Sequence, residues 1–522
     1  MDTLSVIGEQ FRAALASART FRDRSRAQQS KQEKVHVVGA GATLTSAYEQ
    51  LRNAAENTEE HLLLQNAIRR FYRQLLLTRD RKDLARSGDE LAIELTLAGY
   101  LQNDSLTVKQ IKTINALAVR YGELHDELRA RKIQAEVVMR WVLDMLSVSI
   151  ERELSDRTND DVFMQFCYEY FRATVDPKKL FKSKVPKDYE IALFMAIHRG
   201  LLRSDGAVIR ADLMRRYQVG PTEAKQFIAL AKHIDTVASS KLVDKLYRLI
   251  DRQAAPERIV RRMLNEGVDV GRLLESKTQF LGAYETQVER EYKQTGARIQ
   301  RAIVKSIIFL FITKVLIGLA VEVPYDLIVH GYIVWVPLII NLLFPPIYMA
   351  LLSLTLTLPG PANTRALVDR ISSVLYSGDA RLQLQSAQVL FGKKSRTFSF
   401  FYTLFGIILI GMISWGLISI GFSLVHLVIF FVFLSTASFL GFRISRMVRE
   451  LEVVNSEQSV LTFMRDLFYL PFVVIGQWLS DRYAQVNIVT LVLDMVIELP
   501  LKTILRLVRQ WAVFINAKKD EI

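Results

Sequence analysis

Apolar residues recur at helical spacing in the first part of the chain and run almost unbroken through much of the rest. Leu4, Ile7, Phe11 and Leu15 begin a stripe with the spacing of one helical face. Residues 43–174 repeat such stripes and show no strict alternation of the kind that predicts a strand. The pattern predicts an all-α chain in which cytosolic helical domains precede a membrane domain.

The water-soluble part divides into four segments. Residues 1–42 are predicted to be a basic amphipathic helix and a linker, and residues 43–175 a helical domain. Residues 176–188 form a polybasic linker, because five lysines and two prolines are too charged and too broken for a core element. Residues 189–284 follow as a domain of small helices. The first helix either packs on the next domain or adsorbs to a membrane surface, since both situations produce the same stripe.

Four apolar segments are long enough to cross a bilayer, which takes about 20 residues of helix for ~30 Å of hydrocarbon. They are residues 306–323, 333–358, 398–420 and 423–442. We expect one long helix, beginning near residue 285, to lead into the first of them. Residues 285–450 are therefore predicted to form a four-helix polytopic membrane domain.

Residues 451–522 contain two further apolar features. Residues 467–479 are too short to cross once a proline interrupts them, which favours a re-entrant or interfacial segment. In residues 487–516 polar side chains recur every three or four positions on an otherwise apolar stretch. This narrow stripe predicts an amphipathic C-terminal helix.

The distribution of charge supports the division into a soluble and a membrane part. The chain has 68 Lys and Arg against 54 Asp and Glu, a net charge of +14. The first 302 residues hold 50 basic and 41 acidic residues, whereas residues 303–522 hold 18 and 13. Such a fall in charge density along one chain is typical of a transition from a soluble to a membrane region.

Loop charges predict the orientation. The first loop, residues 322–332, has two acidic residues and no lysine or arginine, whereas the second, residues 359–397, has six basic residues. Because basic loops stay on the cytoplasmic side, we expect a multi-pass protein of the cytoplasmic (plasma) membrane with both termini in the cytoplasm. A single cysteine, Cys167, agrees with a reducing compartment for the soluble part.

Lys314 is the outstanding residue of the predicted membrane spans, because it lies nine positions into the first of them. A lysine at that depth costs at least ~2.5 to 3.5 kcal/mol on insertion scales, so we expect it to face the bundle and to have a partner. Asp494, Glu498 and Asn341 are the candidate partners of this possible intramembrane polar site. We interpret Lys314 chiefly as structural, with transport or ligand binding as the alternative.

The segment from Ala211 to Ile228 (ADLMRRYQVGPTEAKQFI) has the pattern of a helix-turn-helix with Gly220 in the turn. Residues 208–234 resemble the winged-helix gamma domain of bacterial DNA translocases, which has a comparable L-x-R-R-[FY]-x-[IV]-G run before its recognition helix. The resemblance is local and is confined to this part of the chain.

The resemblance implies nucleic-acid contacts by Arg215, Arg216, Lys225 and Gln226. This chain departs from the family, since it has no evident wing, lacks the nucleotide motifs of the motor and carries Glu223 where a DNA-facing residue would lie. A structural or protein-binding three-helix unit is therefore the preferred interpretation.

The sequence offers few other candidate functional residues. Candidate lipid contacts are the lysines of the linker and one tail aromatic: Lys178, Lys179, Lys182, Lys184 and Trp511. The chain has no P-loop, HExxH or GxSxG motif, and its seven histidines never fall within four residues of one another. We therefore expect no catalytic site, no cofactor and no metal.

These patterns favour a non-catalytic multi-pass membrane protein whose cytosolic helical domain anchors or recruits a protein partner at the lipid bilayer. About 300 soluble residues against four spans favour this role. The alternative is a small channel or transporter that uses Lys314 and the helices broken near Pro345 and Pro471. A membrane-tethered nucleic-acid-binding protein is the third possibility. The oligomeric state stays open.

Overall fold

The chain forms helices throughout the part that can be described. The computed structural model describes residues 3–37, 46, 49–50, 62–78, 81–181, 185–356, 358–377, 396–453 and 460–485. Within these ranges there is no strand, and one isolated antiparallel bridge joins Lys34 to Thr107. The predicted all-α class is confirmed.

The described residues divide into two compact units. Residues 9–250 form the first, which we call the helical unit, and residues 3–8 with 251–485 form the second, which we call the membrane unit. Each has its own buried apolar core.

The helical unit is a set of helices joined by turns. They are α1 (Val6–Gln29), α2 (Leu63–Thr78), α3 (Arg81–Leu84), α4 (Ser87–Leu97), α5 (Val108–Ala130), α6 (Ala135–Leu154), α7 (Thr158–Thr174), α8 (Pro177–Phe181), α9 (Tyr189–Ile197), α10 (Gly206–Arg216), α11 (Ala224–Ala238) and α12 (Lys241–Gln253). A π-helical turn, His198–Leu202, continues α9. The first residues of α1 and the last of α12 belong to the membrane unit.

Local sequence explains how individual helices of this unit begin and pack. Thr107 starts α5 with a capping box, because its hydroxyl accepts the Gln110 N–H at 3.3 Å while the Gln110 side chain accepts the Thr107 N–H at 3.0 Å. On α1, Phe11 is buried and stacks on Phe166 of α7 with ring centroids 4.2 Å apart. Phe11 of the apolar stripe therefore packs within the helical unit.

The membrane unit contains the apolar helices. It comprises α13 (Ala255–Asn265), α14 (Val270–Leu273), α15 (Lys277–Ile317), α16 (Val323–Val329), α17 (Trp335–Ser353), α18 (Pro361–Ser372), α19 (Arg396–Ser419), α20 (Leu424–Arg449) and α21 (Val460–Gln485). A π-helical segment, Gly318–Glu322, joins α15 to α16, and another, Ser373–Ser377, follows α18.

Four helices in the described part of the chain are long and apolar enough to cross a membrane. They are the continuous stretch Lys277–Val329, Trp335–Ser353, Phe400–Ser419 and Leu424–Arg449, and each overlaps one of the four predicted spans. Pro345 and Pro346 lie inside α17 without ending it. Prolines are tolerated in membrane helices when neighbouring groups satisfy the freed backbone.

α21 packs along α20 in the opposite direction. Asp466 near its start lies 3.9 Å from Arg449 at the end of α20, and Gly476 further on lies against Ser435 in the middle of α20. A Cβ atom built on Gly476 would lie only 2.3 Å from the Ser435 carbonyl oxygen. The segment expected to be re-entrant or interfacial is thus one continuous helix in close contact with a candidate span.

Candidate functional site

Five polar side chains are buried together in the membrane unit. They are Lys314, Glu322, Asp326, Asn341 and His426, and none is more than 1% exposed. We call this group the polar cluster. Buried charged groups in a membrane bundle are expensive and are often functional, which makes the cluster the candidate site.

The continuous helical stretch from α15 to α16 supplies three of the five residues. Glu322 follows Lys314 by eight residues, and Asp326 follows Glu322 by four, a spacing that favours one face of a helix. The π-helical segment Gly318–Glu322 lies between Lys314 and Asp326 and changes the register of the helix. Such π segments are frequent at functional sites.

Glu322 is the shared acceptor of the cluster. The Lys314 ammonium donates to Glu322 Oε1, and Asn341 Nδ2 of α17 donates to the same oxygen at 3.2 Å. Asn341 Nδ2 also lies 3.2 Å from the carbonyl oxygen of His426 on α20. The Lys314 nitrogen lies 4.9 Å from the centroid of the Phe433 ring, a cation–π distance. The lysine is therefore neutralised inside its own chain.

Asp326 and His426 form a second pair. His426 Nε2 lies 3.5 Å from Asp326 Oδ1, while Asp326 Oδ2 accepts the Val334 N–H at 2.9 Å. His426 Nδ1 lies 2.9 Å from the hydroxyl oxygen of Ser423, the residue that caps α20. The helix cap thus fixes the orientation of the imidazole ring.

Four atoms of the cluster have no hydrogen-bond partner among the described residues. They are Glu322 Oε2, Asp326 Oδ1, Asn341 Oδ1 and His426 Nε2. The aspartate oxygen and the imidazole nitrogen face each other, but 3.5 Å is longer than an ordinary hydrogen bond. Buried polar atoms without partners are rare in folded proteins, so each needs a physical explanation.

The structure brings together some of the residues named from the sequence. Lys314 and Asn341 both contact Glu322, whereas Asp494 and Glu498 lie outside the described residues. From the sequence, Glu322 and Asp326 are predicted to lie in a loop, and His426 has no predicted role; the structure places both carboxylates in helices and His426 beside them. Their spacing could have indicated this position. Glu322 lies eight residues after Lys314 and Asp326 lies four residues further, a spacing that favours one face of a helix.

The residues with a predicted nucleic-acid role lie on α10 and α11. Arg215 makes two hydrogen bonds of 3.0 Å to the Asp161 carboxylate, and the Arg216 guanidinium lies 4.3 Å from the centroid of the Tyr168 ring. Lys225 and Gln226 are exposed. Both arginines thus have partners in their own unit, which favours the structural or protein-binding interpretation.

Several ion pairs surround Arg215. Asp161 also accepts hydrogen bonds from Arg152 at 2.9 and 3.0 Å. Burial alone would raise the pKa of Asp161, but hydrogen bonds from Arg152 and Arg215 lower it to about 2. The neighbouring His198 is fully buried, and this burial lowers its pKa to about 3. These groups hold the helices of the unit together.

The candidate lipid contacts are only partly described. Lys178 is exposed in the short helix α8. The side chains of Lys179, Lys182, Lys184 and Trp511 lie outside the described part of the chain.

Among the residues that the structure describes, no group of three or more His, Cys, Asp or Glu side chains is placed to hold a metal ion. The chain matches no known protein family, no curated protein and no solved structure. Its class is therefore given by its fold, an all-α chain with four described helices long and apolar enough to cross a membrane.

Proposed function

We propose that this is a multi-pass protein of the plasma membrane that holds its helical unit on the cytoplasmic side, where that unit binds a protein partner. The observation that carries the proposal is the division of the chain. One unit contains four candidate spans, and a separate unit of some 240 residues has its own core. A unit of that size with its own core is typical of an independent domain.

The pairing of Lys314 supports anchoring over transport. An unpaired lysine in the first span would favour a role in moving a charged solute. Here the ammonium donates to Glu322, a residue of the same helical stretch, so a structural role accounts for it. The orientation rests on the basic residues of the loops: residues 330–334, which follow α16, have no lysine or arginine and lie outside, whereas residues 359–397 have six and lie inside.

Single-cysteine labelling tests insertion and orientation. Cys167 is buried and would be replaced by serine to give a cysteine-free background. Tyr332→Cys, at a position 65% exposed, should react with a membrane-impermeant maleimide in intact cells. Ala362→Cys, at an exposed position in the basic loop, should react only after permeabilisation. The opposite labelling pattern would reject the orientation.

Recruitment is tested by crosslinking in native membranes. A partner identified with the full-length protein should stay with the membrane fraction, and it should move to the soluble fraction when residues 9–250 are deleted. Lys225→Ala, which changes an exposed side chain of α11, serves as a control for a general surface effect. If no protein depends on residues 9–250 for its membrane association, the anchoring function is wrong.

Two further experiments test the channel or transporter and the nucleic-acid-binding protein. A solute flux that is lost in Lys314→Met, with insertion intact, would favour the channel or transporter. Sequence-selective DNA binding that is lost with Lys225→Ala and Gln226→Ala would favour the nucleic-acid-binding protein.

A further inference from the structure

The charges of the polar cluster do not balance. Lys314 contributes one positive charge, Glu322 and Asp326 contribute one negative charge each, and His426 is neutral until it takes up a second proton. All four side chains are 0% or 1% exposed. Without an added proton the cluster therefore holds a net negative charge away from solvent, a costly arrangement in a membrane bundle.

Among the residues that the structure describes, the surrounding helices do not supply the missing positive charge. α17 has no charged residue, and the first basic residue of α20 is Arg443, which is exposed. Lys305 of α15 and His330 after α16 are also exposed. Tyr325 presents its ring edge to His426 with centroids 6.0 Å apart. Tyr348 and Ser438 share a hydrogen bond of 3.0 Å.

One position in the cluster is suited to a proton. Asp326 Oδ1 and His426 Nε2 face each other at 3.5 Å, and neither has another hydrogen-bond partner among the described residues. His426 Nδ1 accepts the Ser423 N–H at 3.4 Å in the capping box, so the neutral imidazole carries its own proton on Nε2, facing Asp326. An added proton therefore binds Nδ1, which can donate it to the Ser423 hydroxyl at 2.9 Å, and the imidazolium then faces the Asp326 carboxylate.

We propose that the Asp326–His426 pair binds one exchangeable proton, which makes the polar cluster electrically neutral, and that the cluster is an intramembrane proton-binding site. The proposal goes beyond anchoring and does not depend on it. A metal ion fits less well, because the described residues offer no metal-ligand group and the Lys314 ammonium already occupies Glu322.

The Asp326–His426 pair lies near one end of the bundle. On that side Asp326 is bonded to Val334 in the turn after α16, and His426 follows the cap of α20. On the opposite side of Lys314 lies an apolar cluster that includes Leu310, Met349 and Phe433. The pair thus lies near the turn after α16, with an apolar cluster on the other side of Lys314, so we expect the proton to bind and leave from the side of that turn.

The test follows protonation directly in the full-length protein in lipid nanodiscs. Nitrogen NMR of labelled histidine, with the His426 signal assigned by its loss in His426→Gln, reports an imidazolium. Infrared difference spectra, recorded in a Glu257→Gln background because burial raises the pKa of Glu257 to about 7, report a protonated carboxyl group. Between about pH 9 and about pH 5, we expect one of the two signals to appear, and we expect Asp326→Asn to abolish it. His330→Gln, which changes an exposed histidine, should leave the signal unchanged.

The protein with an unaltered polar cluster, in the Glu257→Gln background, can by itself overturn the proposal. If His426 keeps a single protonated nitrogen and no carboxyl signal appears over that whole range, the site binds no proton, whether or not the variants fold. A signal that survives Asp326→Asn in a folded protein would also overturn the assignment. In proteoliposomes with an internal pH dye we expect no proton flux, and a flux lost in Asp326→Asn would overturn the one-sided access.

Discussion

Glu322 has an unusual position among the acidic residues, because one of its oxygens is bonded to both a lysine and an asparagine in a buried site. Its side chain is 0% exposed and that of Lys314 is 1% exposed. Removal of either partner would leave the other as an uncompensated buried charge, which typically costs 3–5 kcal/mol. Removal of both would avoid that cost.

We therefore expect Lys314→Met and Glu322→Gln each to lower the stability of the membrane unit by roughly 3 kcal/mol. The double variant should lose clearly less than the sum of the two. Unfolding in detergent micelles, followed by circular dichroism, measures all three. Lys305→Met, at an exposed position of the same helix, is the matched control and should have little effect. Additive losses would show that the two residues are not partners.

The sequence alone identifies Lys314 as one member of this ion pair, but it does not identify Glu322 as the other. Lys314 was recognisable because a charge interrupts an apolar segment. Glu322 lies where that segment ends, so it was assigned to a loop, whereas the helix continues through a π-helical segment and α16 to Val329. His426 gave no signal because a neutral imidazole at the start of a span resembles any polar residue at its edge.

Glu257 provides a second test at the residue scale. It is fully buried in α13, and neither carboxyl oxygen has a hydrogen-bond partner among the described residues. Burial raises the pKa of Glu257 from 4.5 to about 7, despite the opposing positive charge of Arg370. Because the folded protein favours the protonated form, the stability is greatest below the unfolded pKa and is lost as the pH rises through about 7.

Glu257→Gln should therefore stabilise the protein at alkaline pH, by about 3 kcal/mol at most, and have little effect near pH 4 to 5. Melting temperatures of the purified protein at several pH values measure this difference. Glu266→Gln, which changes an exposed carboxylate just beyond α13, should show no such pH dependence. A wild-type melting temperature that does not fall between about pH 5 and 8 would contradict the prediction.

At the scale of elements, the contact between α20 and α21 depends on a glycine. A Cβ atom at Gly476 would lie 2.3 Å from the Ser435 carbonyl oxygen and 2.7 Å from the Phe439 Cβ atom. Neither atom is the end of a flexible side chain, so α21 would have to move away. On α21, Tyr469 and Val473 are buried in a cluster with Leu352 of α17.

We expect Gly476→Ala to weaken the packing of α21 and to lower the melting temperature, because overpacking at a tight contact typically costs 1–3 kcal/mol. A disulfide crosslink engineered between α20 and α21 should form more slowly in this variant. Gly411→Ala is the control, since no atom lies within 4 Å of a Cβ at that glycine of α19. Equal effects of the two substitutions would show that the contact does not limit the packing.

The sequence predicted the existence of the apolar helices better than their contacts. Each of the four candidate spans could be located by length and hydropathy alone, which depend on local composition. The packing of α21 could not be predicted, because Pro471 interrupts its apolar stretch and suggests a short re-entrant or interfacial segment. A close approach such as that of Gly476 to Ser435 depends on residues about 40 positions apart and leaves no periodic signal.

At the scale of the whole molecule, the helical unit should be separable. Its core includes fully buried residues on several of its own helices, such as Leu128 of α5, Val142 of α6 and Phe163 of α7. A fragment of residues 9–253, which keeps α12 complete, should be soluble, helical by circular dichroism and cooperative in thermal unfolding. An insoluble fragment, or one without a cooperative transition, would show that this unit needs the rest of the chain.

The ion pair between Lys314 and Glu322 also has a consequence for biosynthesis. The two residues are only eight positions apart on one helical stretch, so the first span carries the counterion of its lysine within itself. During translation this span reaches the insertion machinery before Asn341 and His426 reach it. A lysine whose partner came from a later helix would have to enter the lipid alone, whereas this one can enter as a neutral pair, and the later helices close around it afterwards.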